Sequence, residues 1–337
     1  MLSRWAWVWL VTAVICGRVD AEPWVRHEFD QPHMGASCQL IFYAQDEAAA
    51  RLAADAAFAR IKQIDRRLSD YRPDSELSAL IRTAGSDRAV AVGDDLWKVL
   101  ERGQQMARLT DGAFDVTVGP YVKLWRRARR EGALPTRSQL DQASTAVGHR
   151  RLQLDRCQQT ATLSEEGMRL DLGGIAKGYA ADEALDALKK AGFSRALVNT
   201  GGDIVLGDPP PGKRGWRIGV APLDADAAPS RYYLLSRMAV ATSGDAYQFV
   251  VIDGRRYSHL IDPRTGLGLT TRSSVTVFAQ DGMTADAMAS AVSVLGSKSG
   301  LAIIESMPGA ATIVVKSHDG QTKLFESRRV KDLQRLD

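Results

Sequence analysis

The residue types best suited to chemistry in this chain sit in Asp171-Leu172-Gly173-Gly174-Ile175-Ala176-Lys177-Gly178-Tyr179-Ala180-Ala181-Asp182. Residues 168–172 read as the end of a strand, and a helix is predicted to begin near Ile175. The two glycines then fall at the turn and Lys177 at the helix start. The first turn of a helix carries N–H groups with no internal acceptor, and the helix dipole and a lysine add positive potential there. Phosphate is a natural ligand for such a turn. The alternative is a strand–helix turn in which glycine only permits close packing. Neither G-x-x-x-x-G-K-[ST] nor G-x-G-x-x-G occurs, so a nucleotide bound here would be held by another design.

Asp286 and Ser290 lie four residues apart on a predicted helix and therefore share a face. A carboxylate and a hydroxyl so placed can ligate a hard cation such as Mg²⁺, which takes oxygen ligands. Alternatively, Asp286 sits in the first helical turn and answers the dipole. Four more segments are polar or glycine-rich where the surrounding chain is regular: Gly112-Ala113-Phe114-Asp115-Val116-Thr117, Asn199-Thr200-Gly201-Gly202-Asp203, Thr242-Ser243-Gly244-Asp245, and residues 259–266, beginning His259-Leu260. Each alone is explained as a turn, because Asn, Asp, Gly and Ser favour turns for local reasons. His259 alone is more simply a structural histidine.

Elements must bring these segments together. Helical spacing of apolar residues predicts helices over 46–68, 75–81, 95–109, 118–128, 138–147 and 175–190, the last closed by Gly192. Two more are predicted at 285–295 and 300–306. Strands are predicted at 39–43, 151–154, 161–163, 196–198, 204–206, 216–220, 232–241, 248–252, 256–260, 274–279, 311–315 and 322–325. Asp253-Gly254 and Asp319-Gly320 mark hairpin turns. The mixture reads as α+β, and 337 residues exceed what one hydrophobic core usually serves. Two interlocked subdomains or one large unit are expected.

The first 21 residues read as a targeting signal. Arg4 precedes an apolar run too short to span a bilayer, and Val19-Asp20-Ala21 offers a small-residue cleavage site. The expected mature protein is exported, starts at Glu22 and forms one domain over 22–337. Lipidation at Cys16 is the alternative, although Ile15 is bulky for that processing. The remaining cysteines, Cys38 and Cys157, have no metal-ligand spacing, and export permits a disulfide. Formal charge is only +4, and no basic stripe interleaved with aromatics points to nucleic acid. Arg126, Arg127, Arg129 and Arg130 form the one dense basic cluster, read as a solvated helix end.

Taken in order, these segments resemble the ApbE family of FAD:protein FMN transferases. The resemblance spans about 34–296 and rests on Met34-Gly35, on Leu68-Ser69-Asp70-Tyr71 with Ser75-Glu76-Leu77, and on the glycine-rich and polar segments above through Ala285-Asp286 and Ser290. It implies an ApbE-like α+β fold of two interlocked α/β subdomains with mixed or antiparallel sheets. It implies FAD in a groove lined by Met34, Tyr71, Ala113, Phe114, Asp115, Asp171, Lys177, His259 and Leu260. It also implies Mg²⁺ held by Asp286, the hydroxyl of Ser290 and a backbone oxygen near Gly174. The family usually has threonine at position 290, and either side chain offers one hydroxyl.

The implied chemistry is phosphoryl transfer, dominated by positioning and charge neutralisation. A threonine or serine hydroxyl of an exported or membrane-bound flavoprotein attacks the FMN-side phosphorus, and AMP leaves. Asp245 and His259 are the base candidates. Water in place of that hydroxyl gives FMN and AMP, a hydrolase outcome. A non-catalytic flavin carrier is the third reading, disfavoured because a carrier has no use for the Asp286/Ser290 pair. The expected location is the periplasm, with attachment to the inner membrane as a further possibility.

Overall fold

The computed structural model describes residues 24–224, 227–229, 231–244, 248–318 and 321–336. The expected leader with Cys16, the base candidate Asp245 and the Asp319-Gly320 turn lie outside the described residues. Among these residues the main sheet has eight strands, in the order Val25–His33, Ala36–Ala44, Ala196–Thr200, Ile204–Leu206, Ala239–Gly244, Ser273–Ala279, Ala311–His318 and Gln321–Glu326. Every neighbouring pair in it is antiparallel. Among the described residues seven α-helical runs accompany the sheets: α1 (Glu47–Leu68), α2 (Glu76–Ile81), α3 (Asp94–Leu109), α4 (Gly119–Glu131), α5 (Arg137–Ser144), α6 (Ala176–Lys190) and α7 (Gly282–Ser306). The α+β reading holds.

Successive residues of a strand face opposite sides, and the main sheet uses both. Leu40, Phe42, Val198, Val205, Ala241, Val275 and Val277 join the large core beneath α1, α6 and α7. Ile41, Leu197, Leu206, Val240, Phe278 and Ile313 face the other way, against Trp216, Ile218, Tyr233 and Leu235 of a three-stranded sheet. A third cluster joins Tyr121, Trp125 and Ala128 of α4 to Ile252, Tyr257 and Ile261. Helix α1 follows from its sequence. Ala50, Ala53, Ala57, Ile61, Ile64 and Leu68 recur at three- and four-residue spacing, and Asp46 caps the start by accepting the Ala48 N–H at 2.7 Å.

Several expectations are corrected. Residues 168–172 form no strand. Met168, Leu170 and Leu172 are buried in alternation, but the segment lacks a ladder, and the Asp171 N–H donates to the Val116 carbonyl. The predicted strand 232–241 is two strands in different sheets, Tyr232–Leu235 and Ala239–Gly244, broken at Arg237 with φ 52°. Strand Val25–His33 was not predicted. It is an edge strand, where polar residues and Pro32 are tolerated. Cys38 is buried, Cys157 is exposed, and both are free thiols. The break expected between the two C-terminal helices is present: the run labelled α7 leaves helical geometry at Gly296, with φ 75° and ψ 176°, so it is two helical segments meeting at a kink.

The N-terminal ends of α6 and α7 meet backbone to backbone. A Cβ on Gly178 would stand 2.1 Å from the Gly282 carbonyl oxygen, and one on Gly282 would stand 2.4 Å from that of Gly178. Asp182 ties the contact by accepting the N–H groups of Gly282 at 2.8 Å and Met283 at 3.2 Å. Gly178→Ala is therefore expected to destabilise by about 3 kcal/mol, the upper part of the overpacking range. Urea unfolding measures it, and an unchanged midpoint would contradict this helix contact.

Candidate functional site

The α6–α7 contact sets Lys177 beside Asp286. The Lys177 ammonium donates to the Asp203 carboxylate and lies 4.0 Å from Asp286 Oδ2. The Gly178 N–H approaches the same Asp286 oxygen at 3.3 Å. Asp203 arrives on the tight turn after strand Ala196–Thr200, where Gly201 and Gly202 take positive φ and Asn199 accepts the Gly202 N–H at 2.8 Å. The Thr200 hydroxyl donates to the Lys177 carbonyl at 2.9 Å and locks this turn to α6. Asp203 and Asp286 are both nearly inaccessible.

Burial pushes the Asp286 carboxyl up, the Asp203 carboxylate pushes it further, and Lys177 and the Gly178 N–H oppose this. Burial likewise raises Asp203 against the pull of Lys177. Burial alone would lower Lys177, but Asp286 and Asp203 together hold it well above the usual lysine range. One ammonium between two buried carboxylates leaves an excess of one negative charge when all three ionise. Such a site is incomplete electrostatically without a further cation or proton.

Around this centre lie oxygen donors. Ser290 Oγ is 3.3 Å from Ser243 Oγ, at the end of strand Ala239–Gly244. A Cβ on Gly174 would lie 3.1 Å from Ser290 Oγ and 3.3 Å from the Phe114 ring. The glycine turn, Phe114 and Ser290 therefore converge. Among the described residues no group of three or more His, Cys, Asp or Glu side chains could hold a metal ion. A cation here would rely on one carboxylate, hydroxyls and backbone oxygens. That donor set suits Mg²⁺, which keeps several waters, and the uncompensated negative charge gives such a cation a reason to bind.

The glycine turn differs from its reading as an open phosphate cradle. Asp171 Oδ1 accepts the Gly173 N–H at 2.9 Å, and the Leu172 carbonyl accepts those of Ile175 and Ala176. The Gly178 N–H faces Asp286. Lys177 points at the two carboxylates. Its charge reaches any ligand through that cluster.

A second wall begins at Asp171. Its Oδ2 accepts from Arg126 at 3.2 Å, and Arg126 also donates to Asp70 at 2.5 Å. The guanidinium lies 4.2 Å from the centre of the Tyr71 ring, and Tyr71 is 75% exposed. An exposed phenol backed by a fixed guanidinium is a stacking platform for a flat aromatic ligand. Arg126 is thus no solvated helix end. It lies four residues beyond Val122 at the flank of the α4 apolar stripe, a signal that the density of its basic neighbours masked.

Asp115 is buried and turned inward. It accepts from the Thr117 N–H at 2.8 Å and hydroxyl at 2.7 Å, and His149 Nδ1 lies 3.9 Å away. Burial raises its carboxyl above the usual range despite the Thr117 hydrogen bonds. Asp115 shapes the loop, and Ala113 beside it is buried too. Met34 and Gly35, with φ 52° and 74°, form the hairpin turn between the first two strands, and Met34 leans on the main core. A Cβ on Gly201 would stand 2.5 Å from Ala36 Cβ, so this turn abuts the Asp203 turn.

His259 follows strand Arg255–Ser258 and is exposed. Its Nδ1 faces the Gln248 carbonyl at 3.1 Å. A carbonyl only accepts, so Nδ1 carries the proton in the neutral ring and Nε2 is the basic nitrogen. The Leu260 N–H donates to Ser258 Oγ at 3.1 Å. The loop beyond is docked on α4: Trp125 Nε1 donates to the Gly266 carbonyl at 2.7 Å, and a Cβ on Gly266 would meet the Tyr121 ring at 2.6 Å. Helix α4 thus supports both the Tyr71–Arg126 wall and the His259 loop.

Comparison with known proteins identifies the family. The ApbE family profile matches residues 34–314. A FAD:protein FMN transferase of Treponema pallidum is 32% identical over 332 residues, covering 91% of each chain. One from Vibrio cholerae is 34% identical over 266 residues, covering 77% of this chain and 78% of the relative. The crystal structure of the ApbE protein of Thermotoga maritima superposes with a TM-score of 0.83 at 30% identity, covering 93% of this chain and all of that one. Family profile, sequence identity and architecture agree, and the chain belongs to the ApbE family.

Proposed function

We propose that this protein is a Mg²⁺-dependent FAD:protein FMN transferase that joins FMN by a phosphoester to a threonine or serine of a target flavoprotein and releases AMP. The observation that carries the reading is the buried Lys177–Asp203–Asp286 cluster beside Ser290, Ser243 and Gly174. Asp286, Ser290 and the backbone at Gly174 would hold the metal. When bound, Mg²⁺ supplies charge neutralisation at the pyrophosphate.

The chain's own groups do the rest. The Tyr71 ring, braced by Arg126, takes the flat flavin. Lys177, pinned by Asp203, offsets one of the two buried carboxylates and leaves the other's negative charge for the metal. The acceptor oxygen attacks the FMN-side phosphorus, the bond from that phosphorus to the AMP oxygen breaks, and AMP departs. The proton of the attacking hydroxyl passes to a base. His259 Nε2 suits this role because Nδ1 is engaged by Gln248, and Asp245 is the second candidate. His259 is exposed, so water reaches the same position and FAD hydrolysis accompanies transfer when no acceptor is docked. The apolar leader with its small-residue end supports an exported enzyme acting on exported or membrane-bound flavoproteins, in the periplasm or at the inner membrane.

Incubation with FAD, Mg²⁺ and each flavoprotein of the host, followed by in-gel flavin fluorescence, tests the function. A covalently fluorescent acceptor, abolished by chelation, is expected. No labelled acceptor, with FMN accumulating, would favour the hydrolase. Ser290→Ala is expected to slow turnover by about ten-fold, less than loss of a carboxylate, because water replaces a neutral hydroxyl in a Mg²⁺ shell. Ser290→Thr is expected to be nearly neutral. An inactive threonine variant would make position 290 a packing site.

A further inference from the structure

The hairpin of Phe249–Ile252 and Arg255–Ser258 pairs with no third strand among the described residues. Its register is Phe249↔Ser258, Val250↔Tyr257, Val251↔Arg256 and Ile252↔Arg255. The His259 N–H donates to the Gln248 carbonyl at 3.1 Å, so the next rung, Gln248 opposite His259, is a bonded one. Antiparallel rungs alternate between bonded and non-bonded pairs. The bonded rungs are then Val250–Tyr257 and Ile252–Arg255, and Phe249 and Val251 direct their N–H and C=O groups away from the hairpin.

The two faces of the hairpin differ. Ile252 and Tyr257 are buried against α4, with the Tyr257 ring 5.2 Å from that of Trp125. Phe249 and Val251 are 40% and 56% exposed, and the Arg256 guanidinium covers the Phe249 ring at 3.3 Å. The opposite edge is closed at its end, where the Ser258 N–H donates to the Leu269 carbonyl at 2.7 Å. The open edge runs from Val251 to Gln248, whose carbonyl holds His259. Strand Ala239–Gly244, which carries Ser243, precedes it in the chain.

We propose that this edge receives an extended segment of the acceptor protein as a third strand and so delivers its hydroxyl to the end of the hairpin marked by the Gln248–His259 rung. The inference rests on the transferase reading. Main-chain pairing at a free edge binds an extended peptide with little demand on its sequence, and side chains on the strand add selectivity. The fitting segment places an apolar residue against Phe249 and Val251 and an acidic one near Arg255 and Arg256. A second copy of this chain is a poorer occupant, because its own Arg255 and Arg256 would meet like charges. The edge strand spans only four residues, short enough to limit self-association.

Val251→Pro removes the outward N–H and spares the inward donors of Val250 and Ile252. Val251→Ala trims only the side chain. With an acceptor that the wild type labels in the fluorescence assay, Val251→Pro is expected to raise KM for the acceptor about ten-fold, the scale of one lost hydrogen bond, with kcat little changed. Val251→Ala is expected to change it far less. Both variants are expected to keep wild-type FAD affinity and wild-type FAD cleavage without acceptor. In the wild type, saturating acceptor is expected to slow hydrogen exchange at the Phe249 and Val251 amides. An unchanged KM in Val251→Pro, or unprotected amides, overturns the inference. If Val251→Pro also loses FAD cleavage, the wild-type exchange result decides. A wild type that labels no acceptor instead overturns the transferase reading, and this inference with it.

Discussion

Asp286→Ala is expected to reduce Mg²⁺-dependent turnover by about 10³-fold or more, the scale of removing a group that stabilises developing charge in a water-excluded site. The fold is expected to survive. Lys177 keeps Asp203 as its partner, and removing Asp286 relieves the repulsion between two buried carboxylates. Stability should therefore stay within about 1 kcal/mol of wild type, or rise. AMP release with and without Mg²⁺, alongside thermal unfolding, reads both effects. Near wild-type AMP release would remove Asp286 from the metal site. A collapsed fold would make its role structural.

Asp95→Asn is expected to cost about 2–3 kcal/mol, the scale of charge-assisted hydrogen bonds lost at a buried carboxylate, while Arg60 keeps Glu183 as a partner. Asp95 on α3 is 2% exposed. It accepts from Arg60 at 2.9 Å, from Arg67 at 3.1 Å and from the Tyr179 hydroxyl at 2.7 Å. These bonds clasp α1, α3 and α6 just beyond Lys177. Burial acts to raise the Asp95 carboxyl, but the hydrogen bonds from Arg60 and Tyr179 overcome it and hold the group down at about 2. A depressed pKa contributes stability above the unfolded value of about 3.9, and that contribution is lost as pH falls towards 2. The gap between wild type and variant is therefore full at neutral pH and narrows below about pH 4. Urea unfolding across pH measures it. A gap that stays constant into acid would contradict the ionic clasp.

Local pattern was legible and long-range partnership was not. The i, i+4 placement of Asp286 and Ser290 was readable because helical spacing alone sets it. The Asp253-Gly254 hairpin was readable from turn chemistry. Residues 168–172 carry a strand's alternation, yet what buries Met168, Leu170 and Leu172 is the core and no neighbouring strand. Periodicity reports burial on one side and says nothing of pairing. Val25–His33 was hidden for the converse reason, since an edge strand with little burial has no apolar alternation. Lys177 and Arg126 show the same limit in side chains. Lys177 meets Asp203 26 residues away, and Arg126 meets Asp70 and Asp171 at separations of 56 and 45. Such pairs exist only once the chain has folded. The left-handed break at Arg237 was equally silent, because arginine carries no turn signal.

The central claim is that FMN passes from FAD to a protein hydroxyl. A phosphoryl acceptor docked in line has a large effective-concentration advantage over loosely held water. Mass spectrometry of an acceptor flavoprotein after incubation with the enzyme, FAD and Mg²⁺, paired with quantification of AMP, tests it most directly. The account predicts one FMN in phosphoester linkage to a threonine or serine, with AMP released in equal amount, and neither product from Asp286→Ala. Rapid formation of free FMN beside an unmodified acceptor, repeated across the host's flavoproteins, would contradict it.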